Sequence, residues 1–261
     1  MSLKDIDKLL SLQTKKIVNN VKVVKPNDIG MNYILRLDDS LMTRKSFVPR
    51  IAISQATSED RTLPRVVGSP YLLGCLMAIA DMVKYAIHQF ADYSFNEEYD
   101  RVANSFYIHS IDFEYGLKPN NSLVFDAKQT EELWLVTYNK ETIEYKAKKA
   151  GELIVKGITI LPANDLKKNR CKVELYIKVN KEDGFYLTPE KKLKEGYYNL
   201  VFYFFESNLK TKTTDKLSEE DAIYVGRISE EEFNKVRKNQ TSLESLVPKD
   251  YQGYNSKLAA W

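Results

Sequence analysis

Between Ser46 and Phe90 the chain passes from short apolar runs interrupted by prolines into its widest apolar periodicity, and the remaining elements arrange themselves around that change. Leu72, Leu73, Leu76, Ile79, Ala80, Val83 and Ile87 recur at helical spacing, which predicts a helix over Pro70–Phe90 buried against a sheet. Ser69 suits its N-cap and Pro70 its first position, where a missing N–H costs nothing. Gly74 and Ala78, four apart, leave room for another backbone to come close. Val48–Ser54 and Arg65–Val67 precede the helix as short strands, entered through Pro49-Arg50 and Pro64-Arg65; proline suits a strand's first residue or an edge.

Residues 3–19 place Leu3, Ile6, Leu9, Leu10, Leu12 and Ile17 at mostly helical spacing and predict one short amphipathic helix. Val21–Val24 alternates as a strand ended by a Pro26-Asn27-Asp28 turn, and Met31–Leu37 is a second strand interrupted by Arg36. Ser105–Tyr115 alternates, Gly116–Ser122 holds the turn signal Pro119-Asn120-Asn121, and Leu123–Asp126, Glu132–Tyr138, Glu141–Lys146, Glu152–Leu161 and Cys171–Val179 continue a meander. Tyr197–Glu206 is apolar on both faces, so it belongs inside a sheet. Beyond it come a polar linker, capped helix starts at Ser218 and Ser229, a short helix with Phe233, Val236 and Leu243 inward, and an aromatic-dotted arm, Pro248–Trp261. The predicted class is α+β: a bent, mostly antiparallel sheet of roughly seven to ten strands on one central apolar helix, with an N-terminal helix and a C-terminal arm. Residues 1–206 form the core domain and 207–261 the linker, short helix and arm.

Composition narrows the function classes. A net charge of +3 from nearly balanced acids and bases gives no strong field for nucleic acid, and Lys146, Lys148 and Lys149 read as a solvated face. Two distant cysteines, Cys75 and Cys171, form no disulfide framework and fit a reducing compartment. The opening MSLKDIDKLL lacks a signal-type apolar core, and no apolar run approaches the ~20 residues that cross a bilayer, so the expectation is a soluble, unsecreted protein without a membrane partner.

No phosphate-binding glycine loop, HExxH, paired CxxC or GxSxG is present. His88, on the apolar helix, reads as a structural histidine; His109 lies mid-strand. Arg36, Arg50 and Arg65 sit in short strands, where a guanidinium is expensive to bury unpaired and its fork fits phosphate or carboxylate. Glu132 and Trp134 share a face, a carboxylate beside an indole. The competing reading makes Arg50 or Arg65 a structural ion pair with Glu132 or Asp60, and Trp134 a core residue.

The blocks PRI (49–51), EDRTLPRV (59–66), SPYLLGCLMAI (69–79), FYIHS and VFDAKQTEELWLV (124–136) resemble a set of small proteins encoded by bacteriophages and mobile elements, over about residues 33–161. That resemblance implies a non-enzymatic virion or head–tail component that assembles with other protein subunits, without a cofactor, in the host cytoplasm or the finished particle. Tyr251, Tyr254, Leu258 and Trp261 are then its partner-binding residues. Arg36, Ser69 and Glu132, in that order, are also similar to the arginine–serine–glutamate series of the ADP-ribosyltransferase-like fold. This second resemblance implies an NAD-dependent enzyme with those three as catalytic residues and Arg50, Arg65, His109 and Trp134 around the ligand. The serine departs from the pattern by opening a helix, and Thr130 stands where the fold has a second Glu or Gln. Neither resemblance implies a metal.

Overall fold

The computed structural model describes residues 2–39, 43–51, 60, 62–77, 105–124, 127–137, 143–161, 170–205 and 223–239, with the backbone alone at 39, 158, 160, 161, 170, 171 and 203–205. It is a mixed α+β, strand-rich protein with antiparallel sheets. Its residues form two compact units: one from Met1–Met77, Ile108–Ala150 and Gly184–Leu193, the other from Ala78–Tyr107, Gly151–Asp183 and Lys194–Trp261.

The first unit opens with two helices rather than the single one expected over 3–19. α1 (Leu3–Ser11) is started by a capping box in which Ser2 and Asp5 satisfy each other's backbone N–H, and α2 (Lys15–Val18) follows after a break. Ile17 joins Ile6 and Leu9 in the interior on either side of the break. After β1 (Val21–Val24), the expected Pro26 turn is a one-turn helix, α3 (Pro26–Ile29); Asp28 accepts from the Lys25 N–H at 2.9 Å and Gly30 ends it left-handed, φ 70°.

β2 (Tyr33–Asp39), β3 (Ser46–Phe47) and β4 (Arg65–Gly68) come next. Of the expected Val48–Ser54 strand, residues 48–51 are described and make only an isolated Arg50–Arg65 bridge rather than a strand; residues 52–54 lie outside the described residues. Residues 72–77 are the described part of the predicted apolar helix, here α4, with Leu72 and Leu76 fully buried; its continuation to Phe90 lies outside the described residues.

β5 (Ser105–Asp112) is followed by β6 (Gly116–Pro119), a strand where a turn was expected. Pro119 stands at its last position opposite Val21, where a missing N–H is tolerated. The turn lies one residue on: Asn120 accepts from Ser122 N–H through its side chain at 2.9 Å and from Leu123 and Val124 through its carbonyl at 3.0 and 3.1 Å. That fold-back replaces the strand expected at Leu123–Asp126 and leads into α5 (Ala127–Thr130) and β7 (Leu133–Val136). β1, β6, β7 and β4 form a four-stranded antiparallel sheet in that order.

β7 is interior, and all four of its residues are buried. Trp134 and Val136 pack with α1, α2 and Leu117 on one side, while Leu133 and Leu135 meet Ile34, Val66, Ile111 and Phe113 on the other. One sheet therefore carries two apolar layers, the pattern a strand buried on both faces requires. A hairpin unread in the sequence, β10 (Phe185–Tyr186) with β11 (Lys192–Leu193), completes this unit. Its Leu187 carbonyl accepts from the Leu73 N–H at 3.0 Å and so satisfies a donor at the start of α4.

The second unit is built on β8 (Tyr145–Leu161), β9 (Arg170–Val179), β12 (Gly196–Phe205) and β13 (Tyr224–Arg227), antiparallel neighbours in that order, with the first residues of β8 belonging to the first unit. The two strands expected at Glu141–Lys146 and Glu152–Leu161 are one, bent where Lys156 is bulged between Val155 and Gly157. β12 is flanked on both sides, as its two apolar faces require. α6 (Glu230–Lys238) begins at Ser229, whose hydroxyl accepts from the Glu232 N–H at 3.1 Å. It lays Phe233 and Val236 on Ile154, Tyr176 and Tyr197, with Tyr176 donating to Glu232 and Arg237 pairing with Glu152 at 3.4 Å. Thirteen strands among the described residues exceed the expected seven to ten, because two-residue pairs such as β3, β10 and β11 are too short to show a period. They fall into more than one sheet, a correction to the single bent layer.

Candidate functional site

Three of the residues singled out by sequence are engaged around the indole of Trp134, which is fully buried. Asp60 folds its own loop: its carboxylate accepts from Thr62 Oγ1 at 2.7 Å and Leu63 N–H at 2.9 Å, which aims it at Arg65. Arg65 donates to Asp60 at 3.3 Å and to the Asp60 and Leu63 carbonyls at 3.0 and 3.1 Å, with both side chains more than nine-tenths buried. The guanidinium lies over the Trp134 ring, 4.2 Å from its centre. Glu132 accepts from the indole N–H at 2.5 Å. This is the closed ion pair with a core tryptophan, and the partner of Arg65 is Asp60 rather than Glu132.

Ser69 continues β4 as a bridge to Leu35, exchanging backbone bonds of 2.6 and 2.9 Å, and its hydroxyl accepts from the Tyr71 N–H at 3.2 Å. It therefore ends a strand and leads into the helix start as well, so the departure expected at this serine is only partial. Arg36 follows Leu35 on β2, and alternation turns it to the opposite face from Leu35 and Ser69. The three residues of the arginine–serine–glutamate series thus come from neighbouring stretches of chain, but Arg36 does not share a face with Ser69.

Arg36 instead belongs to a second group, built on β2, β3, β5 and the segment preceding β3. Its Nη1 donates to the Val67 carbonyl at 2.7 Å, its guanidinium sits 5.2 Å from the centre of the Phe47 ring, and its Nε is buried with no hydrogen-bond partner among the described residues. Arg44 lies 6.0 Å from the same ring centre and pairs with Asp38 at 2.5 Å. His109, fully buried, meets Phe47 edge-on with centroids 5.3 Å apart and accepts the Arg44 backbone N–H at Nε2, 3.3 Å away. Arg50 is exposed and joined to Arg65 through the backbone alone.

The electrostatics follow from this crowding. Burial lowers the Arg36 guanidinium from its usual range; Asp38 offsets part of that, and the charges of Arg50 and Arg44 add to it. His109 is likewise lowered, first by burial, with Asp38 opposing and Arg36, Arg44 and Lys149 reinforcing, so it is held neutral. Cys75, buried on α4 with its thiol donating to the Leu35 carbonyl at 3.2 Å, is pushed up to about 12 by burial. A thiol so held is a small apolar residue, as its place in the stripe suggested.

Arg44, Asp38 and Phe47 escaped the sequence reading as site residues. No motif joins them; a charged pair six residues apart and an aromatic at the end of a two-residue strand acquire meaning only when β2, β3 and β5 come together. Lys146, Lys148 and Lys149 are exposed, as a solvated face demands. His88 and the proposed partner-binding residues Tyr251, Tyr254, Leu258 and Trp261 lie outside the described residues, as does the side chain of Cys171. Among the described residues, no group of acids, histidines and cysteines is arranged to hold a metal, and no helix is long and apolar enough to cross a membrane. No family model, curated protein or solved structure matches the chain.

Proposed function

We propose that the chain is a non-enzymatic, bacteriophage-type structural or interaction subunit, a virion or head–tail component that works through contacts with other protein subunits in the host cytoplasm or in the assembled particle. The observation that carries this reading is at the N-terminus. α1 and α2 turn Ile6, Leu9 and Ile17 inward, yet also leave Leu12 71% exposed, Leu3 44% and Val18 40%. Single exposed apolar side chains are ordinary, but three on two consecutive short helices and the cap between them offer a surface that a neighbouring subunit can cover. The engagement of Arg65, Glu132 and Trp134 with one another supports the same reading, since a closed pair offers nothing to a substrate. We further infer that the Pro70–Phe90 helix is the element about which the antiparallel strands are wrapped; Leu72 and Leu76, with no exposed surface, support this.

Light scattering after size exclusion tests the proposal on the full chain, on Leu12→Glu/Val18→Glu, and on a chain ending before Pro248. The expected result is an assembly that both changes weaken. A full chain that remains monomeric at all concentrations overturns it.

An NAD-dependent ADP-ribosyltransferase-like enzyme is the second reading, favoured by the Leu35–Ser69 bridge, which brings Ser69 beside the strand that carries Arg36, although Arg36 turns to the opposite face. Titration calorimetry with NAD, and its loss in Glu132→Ala, tests that alternative; no heat at millimolar ligand removes it.

A further inference from the structure

His109 is a fully buried imidazole used as a backbone acceptor. Its Nε2 takes the Arg44 N–H at 3.3 Å, and its ring meets Phe47 edge-on, centroids 5.3 Å apart. Only the neutral imidazole can accept at that nitrogen. The charges that act on the ring are Arg36 and Asp38 from β2, Arg44 from the segment before β3, and Lys149 from β8, three cations against one acid. The acid is itself engaged by Arg44 at 2.5 Å. A proton placed on His109 therefore meets an N–H donor, with two guanidinium groups gathered on the same Phe47 ring at 5.2 and 6.0 Å and no water to screen them.

The element that can yield is Thr43–Phe47. β3 is two residues long and pairs only Ser46 with Lys146 and Phe47 with Tyr145. Beside these, the Lys45 carbonyl accepts from Ala147 N–H at 2.8 Å and Ser46 Oγ donates to Glu144 at 2.9 Å. The frame beneath is held independently: Tyr145 donates to the Val136 carbonyl at 2.6 Å, Arg36 to the Val67 carbonyl at 2.7 Å, and β7 is buried throughout. Opening so short a strand costs less than unfolding the sheet it rests on.

We propose that His109 is an acid-operated latch: its protonation releases Thr43–Phe47 from β5 and β8 and uncovers Phe47 and the guanidinium of Arg36, while the strands around them stay folded. Release returns the imidazole to water and to its ordinary value of 6.5, whereas burial holds it lower in the closed form. The open form binds the proton more readily, so its population rises up to about tenfold for each pH unit below 6.5, until the closed form's own value is reached. Acid opens the latch and neutral pH closes it. The device requires no ligand and no assembly, so its failure leaves the subunit reading standing.

Amide hydrogen exchange of the full chain between pH 7 and 5, above the usual range of Asp and Glu, reads the release as lost protection, each rate being taken relative to an unstructured chain at the same pH. Protection at Arg44–Phe47 and Tyr145–Ala147 is expected to fall about tenfold over that range, with β7 unchanged. His109→Gln, which accepts the same N–H and does not titrate, is expected to keep its protection at pH 5. Glu144→Gln, at an exposed side chain bonded to Ser46, and His88→Gln, at the other histidine of the chain, are expected to respond as the unaltered chain does. Protection that does not change with pH overturns the latch, as does a response that persists in His109→Gln or disappears in Glu144→Gln or His88→Gln. An equal loss at β3 and β7 is global unfolding and overturns it as well, a comparison within the unaltered chain that decides the matter even where His109→Gln fails to fold.

Discussion

Arg65 lies over Trp134, its guanidinium carbon 4.2 Å from the ring centre, and is held there by Asp60 at 3.3 Å. The arrangement joins the loop before β4 to the interior strand β7, so its energetic weight is testable. Asp60→Ala leaves the Arg65 charge buried and the turn at Thr62 and Leu63 without its acceptor. The expected loss is about 3–5 kcal/mol, as for other buried pairs broken on one side. Arg65→Met/Asp60→Leu, which removes both charges, is expected to lose much less. Urea denaturation of the single and double variants measures the difference; equal losses overturn the pairing argument.

Gly74 is a point of close approach within the first unit. A Cβ built there meets the Thr130 carbonyl at 2.0 Å and Ser69 Oγ at 2.2 Å. Neither can yield cheaply, one being backbone of α5 and the other a buried side chain. Gly74→Ala, ordinarily favourable in a helix, is expected here to lower stability by more than about 2 kcal/mol. A rise in the thermal midpoint of this variant contradicts the close approach.

Acid should act through His109. Its folded-state pKa lies below the usual value, so its contribution is complete above about pH 6.5 and is lost as pH falls through the folded value. The cause is concrete: protonated Nε2 meets the Arg44 N–H donor to donor. His109→Gln, able to accept that N–H, is expected to flatten the midpoint between pH 7 and 5. An unchanged slope removes His109 as the titrating group.

Alkali should act through two other groups. Burial raises Tyr145 from 10.0 to about 12 and Cys75 from 9.0 to about 12. Because the folded values lie above the unfolded ones, this stability is whole below about pH 9 and falls as pH rises toward 12. Tyr145→Phe is expected to reduce that slope. It also loses about 1 kcal/mol at neutral pH, since the hydroxyl donates to the Val136 carbonyl at 2.6 Å. A stability curve flat from pH 8 to 11 contradicts both assignments.

Much of the architecture was legible one segment at a time. Ser229 before a run of acids marked α6 because a cap is a bond between residues three apart, and Phe233 fell inward because a helix repeats every 3.6 residues. Gly74 announced a close approach because only glycine permits one. The failures have the same root. Gly116–Ser122 carries the turn signal Pro119-Asn120-Asn121, and the chain does turn just beyond it, but pairing with β1 makes Gly116–Pro119 a strand; Leu123 reads as strand, but Asn120 folds the chain back. In each case a partner distant in sequence, or a side chain's choice of bond, outweighed local pattern.

The sequence alone determined the period of the longer elements, the cap that begins α6, and that the protein combines antiparallel strands with amphipathic helices. These follow from contacts among residues a few positions apart. Tertiary structure decided which charge meets which. Asp60 rather than Glu132 closes Arg65, Asp38 goes to Arg44, and Arg36 is left with an aromatic face and a carbonyl. Charge partners are chosen by strand order and register, which bring residues from remote parts of the chain within a few ångströms, and no local pattern carries that information.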